Sequence, residues 1–413
     1  MSSSTHATSL ITRLTRLGFT PLGVTSAVVV VAAWVALTDT PFATAGLVAT
    51  ITLLMIATGL IVIGVHEFGH FLVSRLAGFR TISVTVGPVR FVKTANGVRI
   101  RSAESWQLGG GMLVCLPRHE TNLRARWMCT VAAGPAFSLL LAFGGWLVAP
   151  PFGFDEKAIV AIAGTIGPIG TVWWVSLLPT VSVVSFIAAV ASLIPTRRGL
   201  LFTDGAQLRL LARGGAEADR WCSQIMITAA ARGGVRPRDW DPNWIARVTT
   251  PRDDSAQEAL GQLGAFYWAL DQGNSTLALA HLTRAHELLE TLPPLLRALV
   301  HLDTAFYDAR IRGDLRSARD SLGKSDVPGV PRFARLRTEA AVLLLEGDRH
   351  SAAARAREGL EELARLERNE LVRYPAEEEW LRNVLADAEV STALSASSPL
   401  HSAQPTAPAP STA

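Results

Sequence analysis

The chain has 413 residues, of which 49% are apolar and 18% are charged, whereas soluble globular chains average about 25% charged residues. This composition excludes a disordered, highly charged chain and is unusual for a wholly soluble one. The net charge of +4 gives no case for nucleic-acid binding, and three cysteines are too few for a disulfide framework. Long segments that contain no Asp, Glu, Lys or Arg include 40–65, 127–154 and 158–196. Such segments are typical of membrane-spanning helices.

The first predicted span covers residues 17–38. A cleaved signal peptide is the alternative, because Arg13 and Arg16 precede the apolar run and Ala43-Thr44-Ala45 resembles a cleavage site. A peptide ending at residue 45 would exceed the usual length of about 15–30 residues. The sequence therefore favours a retained anchor.

The second predicted span, residues 43–77, contains the motif His66-Glu67-Phe68-Gly69-His70. On a helix His66 and His70 lie one turn apart on the same face, a spacing that lets two imidazoles bind one zinc ion. Glu67 lies beside them and can take a proton from water. Placing ionisable side chains in an otherwise uncharged apolar helix costs free energy, so their presence indicates a functional site. The alternative is a polar gap between helices that holds no metal.

The segment between the second and third spans is rich in Arg and Lys, and its acidic residues are Glu104 and Glu120. The positive-inside rule therefore places it in the cytoplasm. Apolar and polar residues alternate in TISVTVGPVRFVK, as they do in a β-strand. Asn96-Gly97 is a two-residue turn signal, and VRIRS after it is the expected returning strand. This pattern predicts a small β-hairpin.

The third predicted span covers about 127–149. The next apolar segment, 158–196, leads to Arg197 and Arg198, which are typical of a cytoplasmic flank, so it must cross the membrane an odd number of times. It is too short for three spans of about 20 residues. We expect one crossing at about 172–195, preceded by a re-entrant or interfacial helix. The sequence thus predicts four spans, with both termini cytoplasmic.

Two histidines leave a catalytic zinc ion one protein ligand short. Asp204, within Thr203-Asp204-Gly205, follows the last predicted span and would emerge at the membrane depth of His66 and His70. The alternative is that Asp204 merely caps the helix that begins there. The other candidate ligands are Glu104, Glu120 and His119.

These motifs together resemble the site-2-protease-like intramembrane zinc metalloproteases. The residues that carry the resemblance are the HEFGH motif, Ala133-Gly134-Pro135 at the start of the next span, Leu193-Ile194-Pro195, and Asp204-Gly205. The resemblance covers about residues 43–212. It implies that His66, His70 and Asp204 hold one Zn²⁺ and that Glu67 is the catalytic base.

The same resemblance implies roles in substrate positioning. The family often has Asn where this chain has Ser138 and Ser192, and those side chains are thought to place the substrate or polarise its carbonyl. In related proteases a stretch like Gly109-Gly110-Gly111 leads into a strand that aligns an extended substrate, a geometry that exposes the peptide carbonyl. The alternative for the glycine stretch is a plain flexible loop.

From residue 213 the composition becomes that of a soluble helical protein, and Ser255-Ala256-Gln257-Glu258 is a capping box. A Gly-Asx pair followed by Ala recurs three times, with periods of 40 and 34 residues. The three occurrences are Gly273-Asn274 with Ala278, Gly313-Asp314 with Ala318, and Gly347-Asp348 with Ala352. The pattern resembles tetratricopeptide-type (TPR-like) helical hairpins, which often bind a peptide or protein. The alternative is a helical bundle that only stabilises the membrane part.

The sequence therefore predicts an all-α polytopic membrane protein with about four spans and a small cytoplasmic β-hairpin, followed by a soluble α-helical repeat domain. The predicted divisions are a membrane-embedded metalloprotease domain (1–212), a cytoplasmic TPR-like domain (213–390) and a disordered tail (391–413). We expect a zinc endopeptidase in the bacterial plasma membrane. Its expected partners are the lipid bilayer, a membrane protein or peptide substrate, and a protein bound by the repeats, with no nucleic acid. The alternative function is a catalytically weak or inactive zinc-binding scaffold.

Overall fold

The computed structural model describes residues 41–94, 97–103, 110–148, 177–198, 200–370 and 372–396. The predicted first span, the predicted re-entrant segment before residue 172 and most of the predicted tail lie outside these ranges. Within them the chain is mainly helical, with one four-stranded sheet and one hairpin of two short strands.

The described helices are α1 (Pro41–Leu76), α2 (Leu123–Val148), α3 (Leu177–Leu193), α4 (Asp204–Arg213), α5 (Ala216–Arg232), α6 (Pro242–Thr249), α7 (Ala256–Asp271), α8 (Ser275–Glu287), α9 (Pro294–Tyr307), α10 (Leu315–Lys324), α11 (Arg332–Glu346), α12 (Arg349–Glu370) and α13 (Pro375–Ala396). Short 3₁₀ turns cover Pro237–Asp239 and Leu289–Thr291, and a π-helical turn, Asp308–Arg312, follows α9. The strands are β1 (Arg80–Val86), β2 (Val89–Thr94), β3 (Gly97–Ser102), β4 (Gly111–Leu116), β5 (Arg197–Arg198) and β6 (Leu201–Phe202).

Two of the described helices are long and apolar enough to cross a membrane. They are Thr52–Leu76 within α1 and Leu123–Leu147 within α2, and they overlap the second and third spans predicted at 43–77 and about 127–149. Helix α3 is also apolar but shorter, and it falls inside the predicted crossing at 172–195. The predicted total of four spans stays a prediction.

Small residues let the apolar helices pack closely. A Cβ added to Gly69 of α1 would overlap the Ala133 carbonyl oxygen of α2, and one added to Gly145 of α2 would overlap Ser182 Oγ of α3. The Ser185 hydroxyl of α3 also donates to the Ser138 carbonyl oxygen of α2 at 2.9 Å. Close backbone approach and interhelical hydrogen bonds of this kind hold helices together in lipid.

The sheet has the antiparallel strand order β3-β2-β1-β4. Strands β2 and β3 pair from Val89 opposite Ser102 to Thr94 opposite Gly97, so the predicted hairpin is present. The prediction was incomplete, because the segment expected as one strand is broken at Gly87, where a φ of 52° begins a turn between β1 and β2. Such a positive φ is one that glycine adopts readily.

The sheet lies against the middle of α1. A Cβ added to Gly87 would come within 3.0 Å of Leu60, and one added to Gly64 would contact Val86. Strand β4 pairs with the other side of β1 and is an end strand of the sheet. This arrangement brings the start of β4 to the helical turn that carries the HEFGH motif.

The described residues form two compact units. The first contains the described residues up to 230 together with 241–261 and 369–370, and the second contains 231–240, 262–368 and 372–396. The boundary predicted between residues 212 and 213 stays a prediction. The three cysteines, Cys115, Cys129 and Cys222, all lie in the first unit and are free thiols.

The second unit is built from successive helix–turn–helix segments. Each repeated Gly-Asx pair forms the turn. The glycines have φ values of 76°, 67° and 89° at Gly273, Gly313 and Gly347. The Asx side chains cap the next helix through the backbone N–H three residues on: Asn274 to Leu277, Asp314 to Ser317 and Asp348 to Ser351. The recurring alanines, Ala278, Ala318 and Ala352, are fully buried, so the sequence pattern marks tight helical hairpins.

A buried ionic cluster that sequence reasoning missed joins the helices of this unit. Arg337 of α11 is fully buried and donates to Asp303 of α9 and Glu377 of α13, each at 2.7 Å. Its guanidinium lies 4.2 Å from the ring centre of Phe306, and the Tyr267 hydroxyl donates to Asp303 at 2.5 Å. Breaking a buried pair by removing one partner typically costs about 3–5 kcal/mol.

Candidate metal centre

Three potential metal ligands from α1 and α4 converge. His66 Nε2 lies 3.2 Å from His70 Nε2. Asp204 Oδ2 lies 3.1 Å from His66 Nε2, and Asp204 Oδ1 lies 3.5 Å from His70 Nε2. Within the described part of the chain, this is the group of metal-ligating side chains whose donor atoms approach within 4.8 Å of one another.

The spacing fits a zinc ion. Tetrahedral zinc with N and O bonds of about 2.0–2.1 Å holds its ligand atoms about 3.3 Å apart. The two imidazole Nε2 atoms lie 3.2 Å apart, and they lie 3.1 and 3.5 Å from the two different oxygens of the Asp204 carboxylate. Burial alone would raise the pKa of Asp204, but its contacts with His66 and His70 outweigh burial and lower the pKa to about 2. The carboxylate is therefore anionic, the form that binds a divalent metal. Two histidines and one carboxylate form a donor set of catalytic zinc, which keeps a fourth position open.

The outer nitrogen of each histidine is occupied. His66 Nδ1 lies 2.9 Å from Ser138 Oγ, and His70 Nδ1 donates to the Thr130 carbonyl oxygen at 2.8 Å. Both partners belong to α2, and both side chains are buried. Because the Nδ1 atoms are engaged, the rings are oriented and both Nε2 atoms are left for the metal.

The carboxylate of Glu67 lies beside this group. Its side chain is 5% exposed, and Oε2 has no hydrogen-bond partner among the described residues. A Cβ added to Gly111 would overlap the Glu67 carboxylate, so the first residue of β4 lies directly against it. A buried carboxylate oxygen without a partner calls for an explanation. A role as a general base would provide one, because the oxygen would then accept a hydrogen bond from the water molecule that it deprotonates.

Gly134 of the Ala-Gly-Pro motif has a packing role that the sequence alone did not reveal. A Cβ at this position would overlap Nε2 of both His66 and His70. Only a glycine therefore lets α2 approach the two ligands this closely. Its place in a known motif was visible in the sequence, but the contact that requires it was not.

Asp204 is placed by its neighbours rather than by capping its own helix. Thr203 is the N-cap of α4, since its Oγ1 accepts from the Ala206 N–H at 3.3 Å. The same hydroxyl donates to the Ile194 carbonyl oxygen at 2.8 Å, which ties α4 to the end of α3. At the other end of α4, Arg124 of α2 donates to the Ala212 carbonyl oxygen at 3.0 Å. Thr203 and not Asp204 therefore caps α4. The Asp204 carboxylate instead contacts the two histidines.

The other candidate ligands do not join the group. His119 lies against Arg126, with 3.0 Å between His119 Nδ1 and the guanidinium. Glu120 accepts from Trp244 and Arg247 at 2.8 Å each. Glu104 lies outside the described residues.

The residues expected to position substrate have different surroundings. Ser138 contacts His66, as described above. Ser192 donates to the Ala189 carbonyl oxygen of its own helix at 3.1 Å. The Gly110 carbonyl oxygen accepts from the Gly87 N–H at 3.0 Å and leads into Gly111 of β4, whereas Gly109 lies outside the described residues.

Comparison with known proteins agrees with this geometry. The model of peptidase family M50 matches residues 52–235, whereas comparison with curated proteins and with solved structures gives no match. The matched stretch contains His66, Glu67, His70 and Asp204, and with them the whole candidate centre. Residues 52–235 of this chain are thus similar to the site-2 protease family of metallopeptidases.

Proposed function

We propose that this protein is an intramembrane zinc metalloendopeptidase that hydrolyses a peptide bond of a membrane protein or membrane-associated peptide. The convergence of His66, His70 and Asp204 at zinc-compatible distances beside Glu67 carries the proposal. Two of these ligands and Glu67 belong to a helix apolar and long enough to cross a membrane. The match to peptidase family M50 supports a peptidase, and no observation favours the scaffold alternative.

The chain's own residues would divide the work of hydrolysis. His66, His70 and Asp204 would hold the metal. When bound, zinc supplies a Lewis acid that makes water easier to deprotonate and polarises a carbonyl oxygen. Glu67 would accept the proton of the attacking water and deliver it to the leaving amine. Ser138 and the Thr130 carbonyl oxygen keep the two imidazoles in the orientation that this needs.

Strand β4 is the element best placed to align the substrate. It begins at Gly111 against Glu67 and forms an end of the sheet. A substrate segment that runs alongside β4 would be extended, which exposes the scissile carbonyl, whereas a helix would shield it. The glycine at the start of β4 leaves room beside the base.

The cellular setting follows from the same proposal. We propose a multi-pass protein of the bacterial plasma membrane, with four spans and both termini cytoplasmic. The second unit would be a TPR-like domain that binds a peptide or protein partner. Its three Gly-Asx turns with buried alanines support that assignment.

Elemental mass spectrometry of detergent-purified protein tests the metal centre. We expect about one zinc per wild-type chain, strong loss in the His66→Ala/His70→Ala double variant, and weaker binding in Asp204→Ala. Wild-type protein that takes up no zinc from supplemented buffer would contradict the three-ligand site.

Glu67→Gln tests the catalytic step, because it keeps the size of the side chain and removes the base. We expect this variant to retain zinc and to lose cleavage of casein, an unstructured model substrate. Glu120→Gln is the matched control, because Glu120 pairs with Arg247 away from the site. Full activity of Glu67→Gln would overturn the mechanism.

A further inference from the structure

The first unit contains a cavity of about 220 Å³ that is lined by residues of β4, β6, α2, α4, α5 and α7. Its walls are largely apolar. Large apolar residues that line it include Trp127, Phe202, Leu210, Trp221, Ile225 and Leu260. Arg197 and Glu217 also line it and pair at 2.6 Å with side chains 38% and 50% exposed, so the cavity reaches solvent on their side.

The size of the cavity suits one large side chain. An apolar cavity of about 150 Å³ is enough to hold benzene, and pockets for drug-sized ligands measure about 300–1,000 Å³. Three lining residues also carry buried polar atoms without a partner among the described residues: the Arg220 Nε and Trp221 Nε1 donors and the Gln224 Oε1 acceptor. A donor and an acceptor together complement a peptide group, which has one of each.

The cavity is built on the elements that carry the metal centre. Phe202 precedes the ligand Asp204 by two residues, and Trp127 lies one helical turn before Thr130, whose carbonyl holds His70. Contacts of Trp127 strengthen this link, because its Nε1 donates to Gln207 of α4 at 3.1 Å. A molecule in the cavity would therefore touch the same three elements, β6, α2 and α4, that position the ligands.

Strand β4 connects the cavity with the catalytic base. Gly111 at its start lies against Glu67, and Cys115 and Leu116 at its end line the cavity. Five residues of extended chain span about 17 Å. A substrate that runs alongside β4 with its scissile bond at Glu67 would therefore place a residue about five positions away at the cavity.

We propose that this cavity is a specificity subsite that receives one large apolar side chain of the substrate, about five residues from the cleaved bond. The inference rests on the proposed peptidase function and adds a sequence preference to it. The apolar walls would bury the side chain, and Trp221 and Gln224 would bind the adjoining peptide group. The occupant is thus an extended peptide with a residue such as Phe, Leu or Trp at that distance.

Cleavage-site mapping tests this subsite. Detergent-purified enzyme is incubated with reduced casein, and the products are sequenced by mass spectrometry. We expect large apolar residues to be enriched about tenfold at one position four to six residues from the cut, the order of magnitude for burying one such side chain. Leu260→Trp and Ile225→Trp fill the cavity from two different helices and should abolish that enrichment while cleavage continues. Leu279→Trp, on the partly exposed face of α8, should keep the wild-type pattern.

The outcomes separate the subsite from the peptidase. Absence of Glu67-dependent cleavage in wild type would remove the proposed function and the subsite together. Glu67-dependent cleavage without any positional preference would remove the subsite alone. If wild type and both cavity-filling variants showed the same positional preference, the subsite would also be overturned. That result is expected if the cavity holds a lipid chain and not a substrate side chain. The zinc content of each cavity-filling variant shows whether that variant is folded. If neither variant folds, the positional preference of the wild-type enzyme still tests the proposal.

Discussion

The contact between Ser138 and His66 makes a prediction that separates two roles for this serine. Its position in the sequence corresponds to a family asparagine with a substrate role, whereas the structure places its hydroxyl 2.9 Å from His66 Nδ1. Ser138 is fully buried. Ser138→Ala would remove this partner and leave a buried ring nitrogen unsatisfied.

The expected effect is a loss of zinc affinity. An unsatisfied buried polar group costs about 1–3 kcal/mol, which corresponds to a roughly 5- to 150-fold change in a binding constant. Loss of a partner of a metal-bound histidine typically weakens metal binding about 10- to 100-fold. We therefore expect zinc to bind Ser138→Ala at least tenfold more weakly, measured by competition with a chromophoric chelator in detergent.

Ser192→Ala is the matched control. Ser192 is the second serine that replaces a family asparagine, but its hydroxyl only bonds the Ala189 carbonyl oxygen of its own helix, so zinc affinity should stay at the wild-type value. The reasoning is refuted if Ser138→Ala binds zinc as tightly as wild type and instead raises KM for casein. That result would restore the substrate role to Ser138.

Three further predictions concern packing and charge. Gly134→Ala should abolish zinc binding, because its Cβ would overlap the ligand nitrogens, whereas Gly144→Ala on the same helix meets nothing within 4 Å and should bind zinc normally. Thr203→Ala should cost about 1 kcal/mol as a lost N-cap and weaken zinc binding about fivefold in the same chelator assay. Burial, opposed by Arg337, raises the pKa of Glu377 to about 7 from 4.5. The contribution of Glu377 to the stability of the second unit should therefore be fully present below about pH 4.5 and be lost as the pH rises through about 7. Proteolysis in a urea gradient, followed through cleavage within residues 262–396 of the full chain, measures how the free energy of unfolding changes with pH. Glu377→Gln should make that free energy less dependent on pH.

The ligands could be predicted because their signal is local or follows from chain order. His66, Glu67 and His70 lie within one and a half turns of a single helix, so their relative placement needs only the helical period. For Asp204 the membrane depth of the segment after the last predicted span left other candidates open, and the resemblance to the site-2-protease-like family decided between them. The Gly-Asx turns of the second unit were visible for the same local reason, since a glycine with positive φ and a capping side chain are neighbours in sequence.

The partners of these ligands could not be predicted, because they depend on how distant elements pack. The partner of His70 is a backbone carbonyl, that of Thr130, which no side-chain pattern can identify. The Arg337 cluster joins residues of three helices that are 34 and 40 positions apart. The sheet was predicted incompletely because Gly87-Pro88 also reads as part of an alternating strand, and only the pairing of β1 with β4 and β2 reveals the turn.

Three glycines of the sequence motifs share one physical reason. Gly111 of the Gly-Gly-Gly stretch abuts the Glu67 carboxylate, Gly134 of Ala-Gly-Pro abuts the histidine nitrogens, and Gly205 of Asp-Gly abuts the Leu193 carbonyl oxygen. In each case a Cβ would overlap the neighbouring atom. Backbone segments of β4 and α2 therefore lie directly against the candidate base and the candidate histidine ligands, and α4, which carries Asp204, lies directly against the end of α3. Catalytic groups held within about 0.5 Å need such rigid surroundings, so these glycines fix the centre by close approach rather than by flexibility.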